Sequence, residues 1–120
     1  MKGLGHDIIK ISRIQRLIER YGQKFLDRLF TRDEQTYCLK YSNSAQRFAG
    51  RFAAKEAISK ALGTGFRDEV KWKGIEILPG NSGEPVVALS EEIRLRFDDP
   101  QIMLSISHCH EYASAVAIRL

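Results

Sequence analysis

The sequence is poor in cysteine, and its two cysteines follow no spacing typical of a disulfide framework or a zinc ribbon. The presence of only Cys38 and Cys109, without such a spacing, fits a reducing compartment. No apolar run reaches the length of a membrane crossing, and the segment from Met1 to Ile11 lacks the apolar core and cleavage site of a signal peptide. We therefore expect a cytoplasmic protein without a membrane partner.

Internal repeats and shifts of composition are also missing, so the sequence predicts a single domain over residues 1–120. Of the 120 residues, 43% are hydrophobic, which is enough for a modest core. Basic residues exceed acidic ones and give a formal net charge of +4. This excess favours an acidic partner, which could be a nucleic acid, a phosphorylated small molecule or an acidic protein.

The segment from Ser44 to Gly65 organises the chain. Its residues are nearly all helix formers, Ser44 is a suitable N-cap, and Gly63 and Gly65 end the pattern, which predicts a helix of about five turns. Glu56 and Lys60 lie one turn apart on a face of small and aromatic residues. They form either a surface ion pair or part of a packed face, where an acid needs a cation, a hydrogen-bond partner or a raised pKa.

The segment from Gly3 to Ile11 is rich in β-branched residues and predicts a strand. With a period of two, Asp7 shares a face with Gly3 and Gly5, which leave room for a close approach to the backbone. Asp7 could simply cap a neighbouring helix or close a turn. A second buried acid within reach would weaken that interpretation, and Glu56 is the candidate.

The rest of the chain predicts further helices and strands. Ser12 is a suitable N-cap for a first helix, and Thr31 with Glu34 forms a capping box for a later one. A slip of the apolar alternation at Gly74 predicts a bulged strand over residues 70–79. The remaining expected elements are a strand over 85–89, a helix over 90–97, and strands over 102–109 and 112–118. The fold class is α+β, with one long central helix packed with shorter helices on a mostly antiparallel sheet.

The polar side of the first helix carries three arginines, Arg13, Arg16 and Arg20, and only Glu19 offsets them. Such a stripe is commonly a solvated face, yet it is the best docking surface for an acidic partner that the sequence offers. The same stripe would also suit a small basic nucleic-acid-binding module.

In that alternative, Phe48, Phe52 or Trp72 would stack on bases. These aromatic residues fall on positions that also suit a core. The sequence contains no helix-turn-helix, KH or RRM signature.

The two carboxylates of the strand and the central helix could hold a hard cation. Asp7 and Glu56 could bind Mg²⁺ together with water and a substrate diphosphate. Cations lie nearby along the helix at Arg51, Lys55 and Lys60. Acids for a metal and cations for phosphate oxygens are what phosphoryl transfer requires, because charge must be neutralised as the bond to the leaving group breaks.

Three separated stretches resemble the 4′-phosphopantetheinyl transferase superfamily. They are GLGHDIIKISRI, FAGRFAAKEAISKALGTG with the later IEIL and GEP, and SISHCHEYASAVAI. The resemblance implies transfer of 4′-phosphopantetheine from coenzyme A to a serine of an apo acyl carrier protein for fatty acid biosynthesis, with release of adenosine 3′,5′-bisphosphate. It also implies Mg²⁺ as cofactor and, for short members, a homotrimer with coenzyme A between subunits.

The resemblance further implies roles for individual residues. Asp7 and Glu56 would be the metal ligands, and Lys60 would contact the coenzyme A diphosphate as the third catalytic residue. Either Glu56 or a metal-bound water would be the general base. The residues along the coenzyme A pocket would be Arg51, Lys55, Gly63, Thr64, Gly65 and, from a neighbouring chain, His108. The carrier protein would dock on Arg13, with Arg16 and Arg20 beside it.

Three further features of the sequence bear on the site. Larger members of the superfamily have an acid two residues after the strand aspartate, where this chain has Ile9, so only two protein carboxylates are evident. His108 and His110 could bind a metal if both side chains pointed the same way, but few other ligands lie nearby. We expect Cys109 to be a small buried cysteine rather than a nucleophile.

Overall fold

One helix, α4 (Ser44–Leu62), packs against the three-stranded sheet and two of the other helices in a computed structural model that describes residues 1–120. The other helices are α1 (Ile11–Tyr21), α2 (Gln23–Leu29), α3 (Arg32–Leu39) and α5 (Glu91–Arg96). The strands are β1 (Gly3–Lys10), β2 (Ile75–Pro79), β3 (Pro85–Leu89), β4 (Ile102–His108) and β5 (Tyr112–Arg119). None of the helices combines the length and apolar character needed to cross a membrane.

The strands form two antiparallel sheets, one of three strands in the order β1-β5-β4 and one hairpin of β2 and β3. Asp7 of β1 lies opposite Ala115 of β5, which in turn lies opposite Ile106 of β4. The predicted α+β class with a mostly antiparallel sheet and one long central helix is thus confirmed.

Close contact between β1 and α4 depends on the two glycines of the strand. A Cβ atom on Gly5 would overlap the carbonyl oxygen of Ala57, and one on Gly3 would overlap that of Ala61. The residues of α4 on the facing side are alanines, whose small side chains permit a short approach. One of them, Ala57, is fully buried. The room that the sequence predicted beside Asp7 is therefore taken by the central helix.

Two predicted N-caps are wrong. Helix α1 begins one residue before Ser12, with Lys10 as N-cap, and α4 begins at Ser44 itself, with Asn43 as N-cap. No side chain caps either helix. At α1 the strand runs directly into the helix, and the Ile11 amide donates to the carbonyl oxygen of Glu111 at 2.9 Å, so a backbone group replaces the side-chain cap.

The capping box of α3 is confirmed, because the Thr31 hydroxyl accepts from the Glu34 amide and the Thr31 amide donates to Glu34 Oε1 at 2.9 Å. The bulged strand predicted over residues 70–79 is only partly right. Its first half forms a 3₁₀ turn at Trp72–Gly74, closed by the Gly74 amide on the Lys71 carbonyl oxygen at 3.0 Å. Only residues 75–79 are extended.

Candidate active site

Asp7 on β1 and Lys60 on α4 form an ion pair where the two elements lie side by side. Lys60 Nζ donates to Asp7 Oδ1 at 3.1 Å and to the His6 carbonyl oxygen at 3.0 Å. The Lys60 side chain is 49% exposed and that of Asp7 is 18% exposed. The pair therefore joins the strand to the last turn of the helix at the surface.

Glu56 lies one turn before Lys60 and is half-buried. Burial raises the pKa of its carboxyl, the Asp7 carboxylate raises it further, and the Lys60 ammonium opposes both. The two acids predicted from separate segments of the sequence are thus close enough for their charges to interact. Asp7 and Glu56 together place negative charge at one point of the surface. Lys60 offsets the charge of both.

The donor set of this pair fits a hard divalent cation. Asp7 and Glu56 offer carboxylate oxygens, and the Lys60 ammonium already acts as a stand-in cation on Asp7. No group of three or more His, Cys, Asp and Glu side chains is placed so that it could hold a metal ion. Water and oxygens of a ligand would therefore complete the coordination of a metal here.

The turn after α4 is built around Gly63, which adopts the left-handed conformation with φ of 84° that ends the helix. The amides of Thr64 and Gly65 both donate to the Ser59 carbonyl oxygen, at 3.3 and 3.2 Å. Gly63 also donates to the carbonyl oxygen of Lys60 at 3.0 Å. The predicted turn is thus fixed within one helical turn of Lys60, and its contact with coenzyme A stays a prediction.

Lys55 lies in the core, where it does not suit its predicted role along a coenzyme A pocket. Its ammonium donates to Glu34 Oε1 at 2.8 Å and to the carbonyl oxygens of Trp72 and Ile75 at 2.9 and 2.6 Å. Its side chain has no exposed surface. Burial lowers the pKa of Lys55, and Glu34 opposes that shift. Because its three protons are used internally, Lys55 has no donor left for a ligand.

Arg51 is also buried, with 7% of its surface exposed. Its Nε donates to the Ile77 carbonyl oxygen at 3.3 Å, and its guanidinium lies 4.5 Å from the centre of the Tyr37 ring. These contacts hold the guanidinium against α3 and β2. The structure thus gives Arg51 partners that the sequence did not predict.

His108 ends β4 opposite Ala113, and its side chain is exposed. It makes no hydrogen bond or ion pair with Asp7, Glu56 or Lys60 within the chain, so its predicted role at a neighbouring chain's site stays a prediction. The next residue, Cys109, lies in the exposed turn after the strand, so its predicted burial is wrong.

The aromatic residues of the nucleic-acid alternative are not free to stack on bases. Phe48 is fully buried, with its ring centre 4.9 Å from that of Phe30. Trp72 lies between Phe52 and Phe66, at centroid distances of 5.1 and 3.8 Å. Phe52 and Trp72 are half-buried and pack on the core, while Arg13, Arg16 and Arg20 are exposed along α1.

The outer face of the three-stranded sheet, turned away from α4, is uncovered within the chain and carries large apolar residues beside the polar His6 and Ser105. Its large apolar residues are 40% to 58% exposed, and they are Leu4, Ile8, Met103 and Val116. In the register, Leu4 lies opposite Ile118, which lies opposite Met103. Sequence reasoning missed this face, although Leu4 and Ile8 occupy the positions of β1 that alternate with Asp7.

Comparison with known proteins gives consistent matches. A family model described as the 4′-phosphopantetheinyl transferase superfamily matches residues 3–117. The holo-[acyl-carrier-protein] synthase of Protochlamydia amoebophila is 52% identical over 116 residues, covering 97% of this chain and 95% of that protein. That of Chlamydia muridarum is 50% identical over 118 residues, covering 98% and 94%.

Solved structures agree with this similarity. The holo-[acyl-carrier-protein] synthase of Helicobacter pylori in complex with coenzyme A superposes with a TM-score of 0.89 at 35% identity, covering 98% of this chain and 99% of that chain. The Neisseria meningitidis enzyme superposes with a TM-score of 0.92 at 31% identity, covering 100% and 98%.

Proposed function

The chain belongs to the 4′-phosphopantetheinyl transferase superfamily, and we propose that it transfers 4′-phosphopantetheine from coenzyme A to a serine hydroxyl of an apo acyl carrier protein. The products are the holo carrier protein and adenosine 3′,5′-bisphosphate. The observation that carries this proposal is the joining of Asp7, Glu56 and Lys60 at one surface site, in a chain similar throughout to holo-[acyl-carrier-protein] synthases.

Asp7 and Glu56 are the residues that would hold Mg²⁺. When bound there, Mg²⁺ would offset the negative charge of the coenzyme A diphosphate, which otherwise repels an incoming hydroxyl. Lys60 would pair with the same diphosphate and stabilise the departing phosphate, since its half-exposed ammonium can reach outward. The nucleophile belongs to the carrier protein, so none is required in this chain.

The proton of the attacking serine would pass to Glu56 or to a water that Glu56 orients. Burial and Asp7 raise the pKa of this carboxyl, which brings it closer to the range of an effective base. A carboxylate that also binds a metal is a weaker base, which favours the route through water.

The exposed arginines of α1 would dock the carrier protein. Arg13, Arg16 and Arg20 are exposed, and Arg20 lies over the ring of Tyr21 at 5.3 Å. Helix α1 follows directly after β1, which carries Asp7. An acidic carrier protein held on α1 would therefore be attached to the same continuous segment as the catalytic strand.

We further propose a homotrimer in which the apolar outer face of the sheet is buried between subunits. Four large apolar side chains exposed on one sheet face suit an interface better than solvent. Such an assembly would also bring His108 of one chain to the coenzyme A of another. A cytoplasmic location and a role in fatty acid biosynthesis stay predictions.

The experiment that tests the reaction measures release of adenosine 3′,5′-bisphosphate from coenzyme A by liquid chromatography. Release should require the protein, Mg²⁺ and an apo acyl carrier protein together. A carrier protein whose acceptor serine is replaced by alanine is the matched control and should give none. Release that is equally fast with the alanine carrier would indicate hydrolysis and overturn the transfer.

A further inference from the structure

The ion pair between Lys60 and Asp7 uses an oxygen that the proposed metal also needs. Lys60 Nζ lies 3.1 Å from Asp7 Oδ1 and is held a second time by the His6 carbonyl oxygen at 3.0 Å. A divalent cation on Asp7 would lie beside this ammonium. Because like charges at such distances repel strongly where water is partly excluded, the lysine and the metal oppose each other at Asp7.

We propose that Lys60 is a resident counter-ion of Asp7 that is exchanged for the divalent cation when the diphosphate of coenzyme A draws the lysine away. This inference rests on the proposed function, because it uses the metal and coenzyme A site. Lys60 then has two partners in succession, the Asp7 carboxylate before substrate binds and the substrate diphosphate afterwards.

The surroundings of Lys60 permit this movement. Its side chain is 49% exposed and lies at the surface end of α4, so the ammonium can swing outward on its flexible stem without disturbing the core. The His6 carbonyl oxygen that it leaves belongs to an exposed residue and can bind water instead. Lys55, by contrast, is buried five residues earlier with three fixed partners and cannot move in this way.

The exchange predicts that metal and coenzyme A favour each other's binding. Without substrate, Lys60 weakens the binding of a divalent cation at Asp7. With substrate, the diphosphate neutralises Lys60 and the cation gains the free carboxylate. By linkage, a metal on Asp7 releases Lys60 for the diphosphate, so the coupling holds in both directions.

Binding of Mn²⁺, measured by electron paramagnetic resonance of the free ion, tests the exchange without use of activity. Lys60→Met should bind Mn²⁺ in the absence of coenzyme A at least about fivefold more tightly than the wild type, the lower end of typical coupling between sites. Lys40→Met is the matched control, because Lys40 is exposed and makes no side-chain hydrogen bond or ion pair. It removes the same charge and should leave the affinity unchanged.

The coenzyme A arm of the same experiment gives the second readout. Coenzyme A should tighten Mn²⁺ binding by a larger factor in the wild type than in Lys60→Met, because the variant has no lysine to withdraw. Equal Mn²⁺ affinities of Lys60→Met and Lys40→Met without coenzyme A would overturn the exchange.

The variant Asp7→Asn distinguishes failure of the proposed exchange from failure of the proposed metal site. If Asp7→Asn loses Mn²⁺ while Lys60→Met matches Lys40→Met, the metal site stands and only the exchange is wrong. If Asp7→Asn binds Mn²⁺ as the wild type does, the metal ligand itself is wrong, and with it the exchange. Transfer by the wild-type protein is decided independently, by release of adenosine 3′,5′-bisphosphate.

Discussion

Lys55 Nζ lies 2.8 Å from Glu34 Oε1, and neither side chain has exposed surface. The second oxygen of Glu34 accepts from the Ile77 amide at 2.8 Å, and the ammonium also binds the carbonyl oxygens of Trp72 and Ile75. This network joins α3 and the strand β2 to the residue that precedes Glu56. It fixes the rotation of α4 and so the direction in which Glu56 points.

Removal of one partner of this buried pair should destabilise the protein severely. Lys55→Met leaves the Glu34 carboxylate buried without its cation, which typically costs about 3–5 kcal/mol of unfolding free energy. Urea unfolding followed by circular dichroism measures the loss. The double variant Glu34→Leu with Lys55→Met is the matched comparison and should recover only part of the loss. It removes the uncompensated charge, but it leaves the Ile77 amide and the carbonyl oxygens of Trp72 and Ile75 without their side-chain partners. A single variant as stable as the wild type would show that the pair carries no structural role.

Gly5→Ala should separate β1 from α4. The added methyl group would overlap the carbonyl oxygen of Ala57, and overpacking of this kind costs about 1–3 kcal/mol or more. Gly50→Ala is the control, because its new Cβ would meet only Cγ2 of Ile106, at 3.3 Å, and the helix gains propensity. We expect a lower denaturation midpoint for Gly5→Ala and little change for Gly50→Ala. The reverse order would contradict the close approach of strand and helix.

Glu56→Gln should stabilise the fold while it inactivates the site. Burial and Asp7 raise the pKa of Glu56 above its ordinary value of 4.5, so the protonated carboxyl favours the folded state. This stabilisation is complete below pH 4.5 and is lost as the pH rises through the folded-state pKa, where the carboxyl ionises. The variant avoids that loss. At neutral pH it should therefore gain up to about 1 kcal/mol, a modest value because the carboxyl is partly open to water.

Denaturant unfolding at several pH values checks this difference. The gain of Glu56→Gln over the wild type should shrink as the pH falls towards the ordinary pKa of a glutamate. Glu19→Gln, at an exposed position without an ion pair, is the control and should show no such trend. A gain that is independent of pH would mean that ionisation of Glu56 is not its cause.

Val116→Glu should disrupt the proposed trimer. Val116 lies in the apolar outer face of the sheet, and a charge buried there without a partner is strongly unfavourable. Sedimentation should give a trimer for the wild type and a monomer for Val116→Glu. Leu95→Glu is the control, since Leu95 is 75% exposed on α5 and outside that face. An active wild-type monomer would contradict the assembly.

The sequence predicted Asp7 and the pair of Glu56 and Lys60, because each prediction depends only on a local period of the side chains. A period of two placed Asp7 with the small residues of β1, and the helical period placed Glu56 beside Lys60. That α4 itself fills the space beside Gly5 required the tertiary structure. The cap rules were overridden at Ser12, because a backbone hydrogen bond from a distant turn satisfied the helix end first.

The role of Lys55 could not be predicted from local sequence. Its partner Glu34 lies 21 residues earlier, and the same residue already had a local explanation as part of the capping box with Thr31. Glu34 Oε1 accepts from both the Thr31 amide and the Lys55 ammonium, and only the packing of α3 against α4 shows that it does. The apolar outer face likewise depends on strand order, which puts Leu4 and Met103 in one row.

The most direct test of the account is the intact mass of an apo acyl carrier protein after incubation with this protein, coenzyme A and Mg²⁺. Wild-type protein should add the mass of one phosphopantetheine, and a chelated sample should add none. Asp7→Asn should be slower by more than about 100-fold, since several kcal/mol of charge stabilisation would be lost. An unchanged carrier mass with wild-type protein, or an Asp7→Asn variant as fast as the wild type, would contradict the account.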